Sequence, residues 1–227
     1  MNTLLQHIAA RALIAVAAVA FTATGAYAQG EQQKLVTAAE TTLSNFLRDP
    51  EMKWLQTNLG RAKGVLIAPE VAKAGFIIGG SGGRAVLVAR SADGKWIGPA
   101  FYTLATASVG FQAGISVSEM VTLVMTDKAM NSLLASTFKF GGDASIAAGP
   151  VGAGAKSDIV ADLIAFSRSK GIYGGVNLDG TVVSTNDEWN TTYYGKKVLP
   201  PDIVVRANVH NKEAAKLLTE VGKAAGK

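Results

Sequence analysis

The feature that most constrains the fold is a succession of β-type segments between residues 64 and 184. The string "GFIIGGSGGRAVLVAR" is rich in branched residues, and Asp93-Gly94 separates it from "KWIGPAF". This arrangement predicts a hairpin through a glycine-bearing turn. In "GFQAGISV", apolar residues alternate with small polar ones, which is typical of an antiparallel strand with one buried face. Asp179-Gly180 predicts a second hairpin, between the last two strands of the sheet.

The string "GGSGGR" at residues 79–84 resembles a phosphate-binding loop only superficially. It lacks the Lys-[Ser/Thr] of a P-loop, and both of its flanks are predicted strands, so no helix N-terminus is available for a phosphate. We interpret it as a bend between two strands, because glycine tolerates positive φ and close backbone crossing. A second interpretation is that Arg84 and Arg90 contact an anion held by exposed amides of this turn.

An amphipathic helix is predicted at residues 33–48, where apolar side chains recur at a spacing of 3.6 residues. Pro50 interrupts this pattern, and Asp49 is placed to cap a second helical piece. We expect the apolar side of the helix to pack on the rest of the domain. The alternative is a helix that lies on a membrane surface, although such helices usually carry a polar face rich in lysine and arginine.

Four further signals delimit helices in the second half of the chain. Asp127 is placed to cap a short helix, and Asn186 to cap another that includes Trp189 and Tyr193. Pro200-Pro201 should end any helix before them. Asn211 should begin a final helix. The predicted class is α+β, a glycine-rich antiparallel sheet or barrel-like core flanked by N-terminal and C-terminal helices.

The first 28 residues have the layout of a secretory signal peptide. Basic residues precede an apolar run, and Ala26-Tyr27-Ala28 supplies small residues at a cleavage site. We expect cleavage after Ala28, export to the periplasm or association with the outer membrane, and a single mature domain at residues 29–227.

Several classes of chemistry are disfavoured by composition. The chain has no cysteine, which excludes disulfides and thiolate sites, and His210 is the only histidine beyond the predicted signal peptide. Ser167 and Lys170 match no known nucleophile motif. Asp158 and Asp162 would form at most a weak oxygen-ligand pair for a cation. We predict no catalytic residues, no metal and no cofactor.

Charge is distributed unevenly along the chain. The formal net charge is +5, and residues 195–227 carry seven basic and three acidic side chains. Such a basic stretch can attract an anionic surface, or it can form a solvated helix face and a frayed end. Its basic residues are Lys196, Lys197, Arg206, Lys212, Lys216, Lys223 and Lys227.

Long strings of the chain resemble one known domain family. They are "AKGVLIAPEVAKAGFIIGGSGGRAVLVAR", "GKWIGPAFYTLATASVGFQAGISVSEMVTLVMTDKAM", "FGGDASIAAGPVGAGA", "IVADLIAFSRSKGIYGGVNLDGTVV" and "NTTYYGKKVLPPDIV". Together they resemble the SYLF domain family, also described as an actin-binding or DUF500-type domain, from about Lys34 to Val205. The resemblance is to its secreted bacterial members.

The resemblance implies a non-enzymatic lipid-binding module of the cell envelope. Eukaryotic members bind phosphoinositides, some through an N-terminal amphipathic helix, and certain members bind actin filaments. The implied partners are anionic lipids or a membrane surface, with an envelope protein as a further partner and no nucleic acid. Trp54, Phe46 and Leu47 are the candidates for insertion into lipid. The candidate lipid contacts are Lys34, Arg48, Lys53, Trp54, Arg61 and Lys63.

A role as an envelope protein-interaction or scaffolding module, without lipid binding, is the alternative function. It would use sheet edges or the terminal helices.

Overall fold

The computed structural model of the protein describes residues 30–75, 78–109, 114–152, 159–169, 172–174 and 180–226. The predicted signal peptide lies outside the described residues and remains a prediction. Within the described part of the chain, no helix is both long enough and apolar enough to cross a bilayer.

A nine-stranded sheet forms the centre of the molecule. Its order is β5-β9-β3-β2-β1-β4-β7-β6, with β8 paired to β7 beside this path. All pairs are antiparallel except β6 with β7. The strands are β1 (Gly64–Gly75), β2 (Ile78–Arg90), β3 (Trp96–Val109), β4 (Gly114–Val124), β5 (Thr137–Lys139), β6 (Ile146–Ala148), β7 (Leu163–Ser169), β8 (Ile172–Gly174) and β9 (Val182–Thr185).

The sheet curls because its two end strands are neighbours in sequence. β5 and β6 are joined only by residues 140–145. At one end of this link, the Phe140 N–H donates to the Thr181 carbonyl beside β9. At the other, the Ser145 carbonyl accepts from the Leu163 N–H on β7. The short link therefore holds the two ends of the sheet together, and the predicted α+β class with a barrel-like core is confirmed.

Helices occupy both ends of the chain, as predicted. Short 3-10 turns precede or follow some of them, at Pro50–Met52, Leu59–Arg61 and Lys212–Ala214. The α-helices are α1 (residues 30–48), α2 (Lys53–Asn58), α3 (Asp127–Leu133), α4 (Asp187–Tyr194), α5 (Pro200–Val204) and α6 (Ala215–Ala225).

Three predicted caps are confirmed by side-chain hydrogen bonds. The side chains of Asp49, Asn186 and Asn211 each accept from a backbone N–H in the first turn that follows. The cap of α3 was wrong by one residue. Thr126 accepts from the Ala129 N–H there, while Asp127 is the first helical residue. A side chain must stand one position outside the helix to reach the free amides, and Thr126 has that extended backbone.

Apolar side chains cover both faces of the sheet and form two cores. Successive residues of β1 alternate between them, so Leu66 belongs to an inner core and Val65 to an outer core beneath the helices. The predicted burial of the amphipathic helix is confirmed, since Val36, Leu43 and Phe46 of α1 are buried in the outer core. The inner core contains side chains from α3, α5 and the closing strands.

Polar contacts also hold α1 in place. The Thr42 hydroxyl donates to Glu119 Oε1 at 3.1 Å, and Glu119 pairs with Arg168 on β7. Near the start of α1, Gln33 Nε2 donates to the Glu213 carbonyl, and the Tyr193 hydroxyl donates to Gln33 Oε1, each at 3.3 Å. The first described helix is thus fastened to the last segment of the chain.

The glycine string is not the predicted bend. Residues 78–90 form one continuous strand, β2. The irregularity lies on β1, whose register shifts between Ile67 and Glu70. A Cβ at Gly83 would stand 2.3 Å from the Glu70 carbonyl oxygen, so glycine is required where the bulge approaches β2.

One of the two predicted hairpins was wrong. The Asp93-Gly94 hairpin joins β2 and β3 as expected. The hairpin predicted at Asp179-Gly180 is not formed, because β8 and β9 do not pair with each other; Asp179 itself lies outside the described residues. β9 lies between β3 and β5, so both of its edges are occupied, and β8 pairs with β7 instead. No helix runs into Pro200-Pro201, as expected, since α4 ends at Tyr194; the two prolines themselves begin α5, because proline is well suited to a first helical turn.

Candidate functional site

A groove of about 690 Å³ lies between the C-terminal end of α1, α2 and α6. Its lining residues come from all three helices, which pack together on the outer core. They are Leu47, Arg48, Lys53, Gln56, Thr57, Glu220, Lys223 and Ala224.

The chain turns sharply at one side of this groove. Asp49 accepts from the Glu51 N–H, and Gln56 Nε2 donates to the Asp49 carbonyl at 2.6 Å. These bonds hold α2 against the end of α1, with Arg48 and Lys53 on either side of the turn. On the opposite wall, α6 buries Leu217, Val221 and Ala224 and leaves Lys223 exposed.

The groove is basic. Arg48, Lys53 and Lys223 are exposed, and Glu220 is the one acidic residue among the lining residues. None of the three cations takes part in an ion pair with any described residue. Three positive charges from three elements therefore face one solvent-filled groove, and an anion entering it would find donors that no carboxylate occupies.

Of the predicted lipid contacts, the structure brings Arg48 and Lys53 together. Lys34 lies toward the other end of α1, where it pairs with Glu31 at 2.7 Å. Lys63 pairs with Asp127 at 2.9 Å. Arg61 is exposed and donates to Asn58 Oδ1.

Trp54 and Phe46 do not match the predicted role of residues that insert into lipid. Trp54 is 8% exposed and Phe46 is fully buried. The Trp54 ring packs against Phe166 of β7, with 6.0 Å between centroids. Leu47 is half-buried in the groove wall. These aromatic side chains stabilise the attachment of α1 and α2 to the sheet, so they are not available to a membrane in this conformation.

Lys223 was missing from the predicted contacts. The sequence shows the excess of positive charge near the C-terminus, but nothing local places α6 beside Arg48 and Lys53. That placement depends on packing between residues far apart in the chain. A Cβ at Gly60 would stand 2.5 Å from the Ala225 carbonyl oxygen, which shows how closely α6 approaches the turn after α2.

A second groove, of about 600 Å³, lies between α1, α4 and the bulged part of the sheet. Here the Arg84 guanidinium stacks over the Trp189 ring, 4.3 Å from its centroid. Arg90 instead donates to the Gly60 carbonyl at 2.9 Å. The two arginines contact different elements, so the interpretation in which they hold one anion together was wrong.

Candidate catalytic and metal residues form no cluster in the described part of the chain. Ser167 is buried on β7, and its proposed companion Lys170 lies outside the described residues, as does Asp158. Asp162 accepts hydrogen bonds from Thr126 and Ser145, which hold the pKa of its carboxyl well below the usual range. No group of three or more potential metal ligands is found among the described residues.

Comparison with known proteins identifies the family. A family model described as "Ysc84: Las17-binding protein actin regulator" matches residues 105–225, which is more than half of the chain. The chain belongs to the Ysc84 family. The sequence resemblance to SYLF domains is thereby confirmed, and the description is that of binding and regulatory proteins.

Relatives of the Ysc84 family protein are found in yeast and mammals. "LAS seventeen-binding protein 3" of Saccharomyces cerevisiae is 37% identical over 144 residues, which are 60% of this chain and 31% of the relative. "Protein YSC84" of the same yeast is 35% identical over an equal length. Human "SH3 domain-containing YSC84-like protein 1" is 31% identical over 151 residues, 64% of this chain and 44% of the relative. The chain thus spans less than half of the length of these relatives.

The Ysc84 match covers only one wall of the basic groove. Lys223 lies within residues 105–225, whereas Arg48 and Lys53 precede them. The match to the family model therefore does not extend to the complete groove.

Proposed function

We propose that the protein binds the anionic head groups of lipids at a membrane surface, without catalysis, through the groove between α1, α2 and α6. One observation carries this proposal: Arg48, Lys53 and Lys223 converge on that groove and share no ion pair with a described residue. Phosphate oxygens are suitable acceptors for guanidinium and ammonium donors.

The expected binding is weak and sensitive to salt. Each basic side chain near an anionic surface contributes about 1 kcal/mol, so three of them contribute about 3 kcal/mol. Salt screens this attraction, which decays over about one Debye length, so binding should weaken as the ionic strength rises. Because Trp54 and Phe46 are buried, the proposal rests on charge and requires no apolar insertion.

Co-sedimentation with vesicles tests this mechanism. Wild-type protein should bind vesicles that contain phosphatidylserine or phosphatidylglycerol and should leave phosphatidylcholine vesicles unbound. The triple variant Arg48→Gln, Lys53→Gln and Lys223→Gln should bind anionic vesicles roughly a hundredfold more weakly, as the loss of about 3 kcal/mol requires.

A matched control separates the groove from net charge. Lys139→Gln, Lys196→Gln and Lys197→Gln remove the same charge at exposed positions outside the groove. This control should bind anionic vesicles nearly as well as wild type. Equal losses in both triple variants, or equal binding of wild type to both vesicle types, would refute the groove as the binding site.

We further propose that this binding takes place in the cell envelope. The layout of residues 1–28 supports export with cleavage after Ala28. Fractionation of the producing cell should recover the protein in the envelope with an intact mass that begins at Gln29. Recovery from the cytoplasm with an uncleaved N-terminus would contradict this location.

A second candidate function is binding of an envelope protein without lipid; the names of the relatives favour a protein partner, although they do not specify its location. "LAS seventeen-binding protein 3" is named for a protein partner. If this function is correct, one stoichiometric partner should be recovered with wild type and with the groove triple variant alike, and neither should bind vesicles.

A further inference from the structure

The outer face of the sheet continues beyond the helices that cover it. On β2, Gly82 lies on the same side as Val86, which is buried in the outer core. The register partners of Gly82 are Ala105 on β3 and Ala72 on β1, and Ala72 is in turn paired with Val117 on β4. We define the distal face as this row together with the next row of outward-facing residues. It consists of Gly82, Ala105, Ala72, Val117, Ala74, Gly80 and Ala107.

The distal face is apolar and open to solvent. Ala72, Ala74, Ala105 and Ala107 are exposed, and Val117 is 45% exposed. Residues on the opposite side of the same strands are polar, among them Lys73, Ser81, Thr106, Ser116 and Ser118. An antiparallel sheet with one apolar and one polar face normally has its apolar face covered. The described elements leave this one uncovered.

Charged residues of both signs border the distal face. Glu70 and Arg84 are register partners on β1 and β2 and lie one row nearer the helices. They form no ion pair with each other or with any other described residue, because the Arg84 guanidinium turns onto the Trp189 ring. Glu31 and Lys34 line the same groove, which also contains Ala72 and Gly82.

The shape and charge of this surface indicate its partner. Two acids and two bases give a border with no net charge, so an anionic membrane would be repelled by Glu31 and Glu70 as much as it was attracted. Apart from Val117, the side chains of the distal face are no larger than Cβ. They offer little area to an acyl chain, but they let a second flat surface approach closely and gain dispersion energy. A two-fold axis brings the same patch onto itself, which requires that the patch contain its own complement.

We infer that the distal face packs against the distal face of a second copy of this chain, with Arg84 of each copy directed at Glu70 of the other. The resulting homodimer joins two sheets face to face. It uses neither α6 nor the basic groove, so both grooves of a dimer remain open to lipid. The inference is therefore independent of the proposed lipid function.

Sedimentation velocity of the mature protein tests the dimer. Wild type should sediment as a concentration-dependent dimer. Val117→Lys places a charge within the contact, on the β4 side, and should weaken the dimer by more than about a hundredfold, since burial of an unpaired charge is strongly unfavourable. Val160→Lys is the matched control, because Val160 is 98% exposed outside the distal face. It should sediment as wild type does.

A charge exchange tests whether the partner is the same chain. Glu70→Arg alone and Arg84→Glu alone should each weaken the dimer, because each leaves like charges opposed. The double variant Glu70→Arg with Arg84→Glu should restore it, since only a self-complementary contact is repaired by reversing both of its members.

Each outcome is decisive. Wild type that stays monomeric at its solubility limit overturns the inference, and so does a Val117→Lys variant that remains dimeric. If the protein is monomeric and Val117→Lys abolishes its binding to vesicles, lipid would be the partner of the distal face. That result would also overturn the inference of a homodimer. If Val117→Lys fails to fold by circular dichroism, Ala105→Lys on the neighbouring strand takes its place.

Discussion

Asp162 joins three separate segments of the chain through one carboxylate. Its Oδ1 accepts from the Thr126 hydroxyl at 2.7 Å, and its Oδ2 accepts from the backbone N–H and the hydroxyl of Ser145, each at 2.9 Å. The Lys128 Nζ atom lies 3.3 Å from Oδ2. These donors stabilise the charged form, which explains the lowered pKa of Asp162.

Asp162→Asn should destabilise the fold in a pH-dependent way. A carboxyl whose pKa is lowered by folding contributes its full stability above the ordinary carboxyl pKa of about 4, and loses it as pH falls toward the lowered value. We expect the variant to lose about 2 kcal/mol of unfolding free energy at neutral pH, typical of hydrogen bonds to a charged group. Its stability should also decline less steeply in acid than that of wild type.

Urea unfolding at neutral and acid pH measures both effects. Glu188→Gln is a suitable control, because Glu188 is exposed and its carboxylate forms no hydrogen bond with another described residue. It should reproduce the acid dependence of wild type. An Asp162→Asn variant as stable as wild type at neutral pH would show that the carboxylate does not secure this junction.

Single residues were predictable from sequence where their partners are local. Asp49, Asn186 and Asn211 each bind an amide two or three residues further on, so a short sequence window contains the whole interaction. The environment of Trp54, which is 8% exposed, was not predictable for the opposite reason. Its neighbour Phe166 is over a hundred residues away, and an aromatic residue beside basic ones has the same pattern at a membrane and in a core.

At the level of elements, β2 shows why the glycine string was misinterpreted. The string permits a bend, but residues 78–90 remain one continuous strand, and the register shift against β1 arises from an extra residue on β1. A glycine in the sequence is compatible with a bend of the backbone or with the close approach of another chain segment, but the sequence does not show which of the two occurs. The amphipathic helix, in contrast, was predicted correctly, since its periodicity directly marks the side that is buried.

Gly83→Ala should destabilise the protein, because its Cβ would lie 2.3 Å from the Glu70 carbonyl oxygen and the backbone would have to move. A cost of about 1 to 3 kcal/mol is typical of such overpacking. Gly82→Ala is the matched control, since a Cβ there meets its nearest atom, the Leu104 carbonyl oxygen, at an ordinary 3.5 Å. Thermal unfolding of the two variants compares them directly. Similar melting temperatures would argue against a close approach at the bulge.

For the whole molecule, the two cores depend on the same strands. Leu66 and Val65 are consecutive residues of β1 that belong to different cores, and Leu87 and Val88 of β2 repeat this arrangement. The sheet is therefore the shared wall of two hydrophobic layers. Neither layer can lose its order while the other keeps it, because the strands between them would have to be folded and unfolded at once.

Cavity-forming variants in the two cores should therefore shift one common unfolding transition. Leu43→Ala acts on the outer core and Phe140→Ala on the inner core, and both residues are fully buried. Each should lower the unfolding free energy by about 3 kcal/mol. Near- and far-ultraviolet circular dichroism should report the same midpoint for each variant. Two separate transitions in either variant would show that the cores unfold independently.

The order of the strands was beyond sequence analysis, although their antiparallel character was largely predictable. β3 pairs with β9 and β4 with β7, in both cases across long intervening segments. Local patterns determine which residues prefer a strand, but only the packing of both cores selects the partner. The same limit applies to the basic groove, where two of three cations were predicted and the third comes from α6.

The contacts at the start of α1 have a consequence for synthesis. Gln33 binds the Tyr193 hydroxyl and the Glu213 carbonyl, so these contacts of α1 can form only when the last part of the chain has been synthesised. During translation, these two contacts of Gln33 form only after nearly the whole polypeptide has left the ribosome. A chain that ended shortly before residue 213 would lack the Glu213 acceptor and the buried face of α6, so the start of α1 would be held less firmly to the rest of the fold.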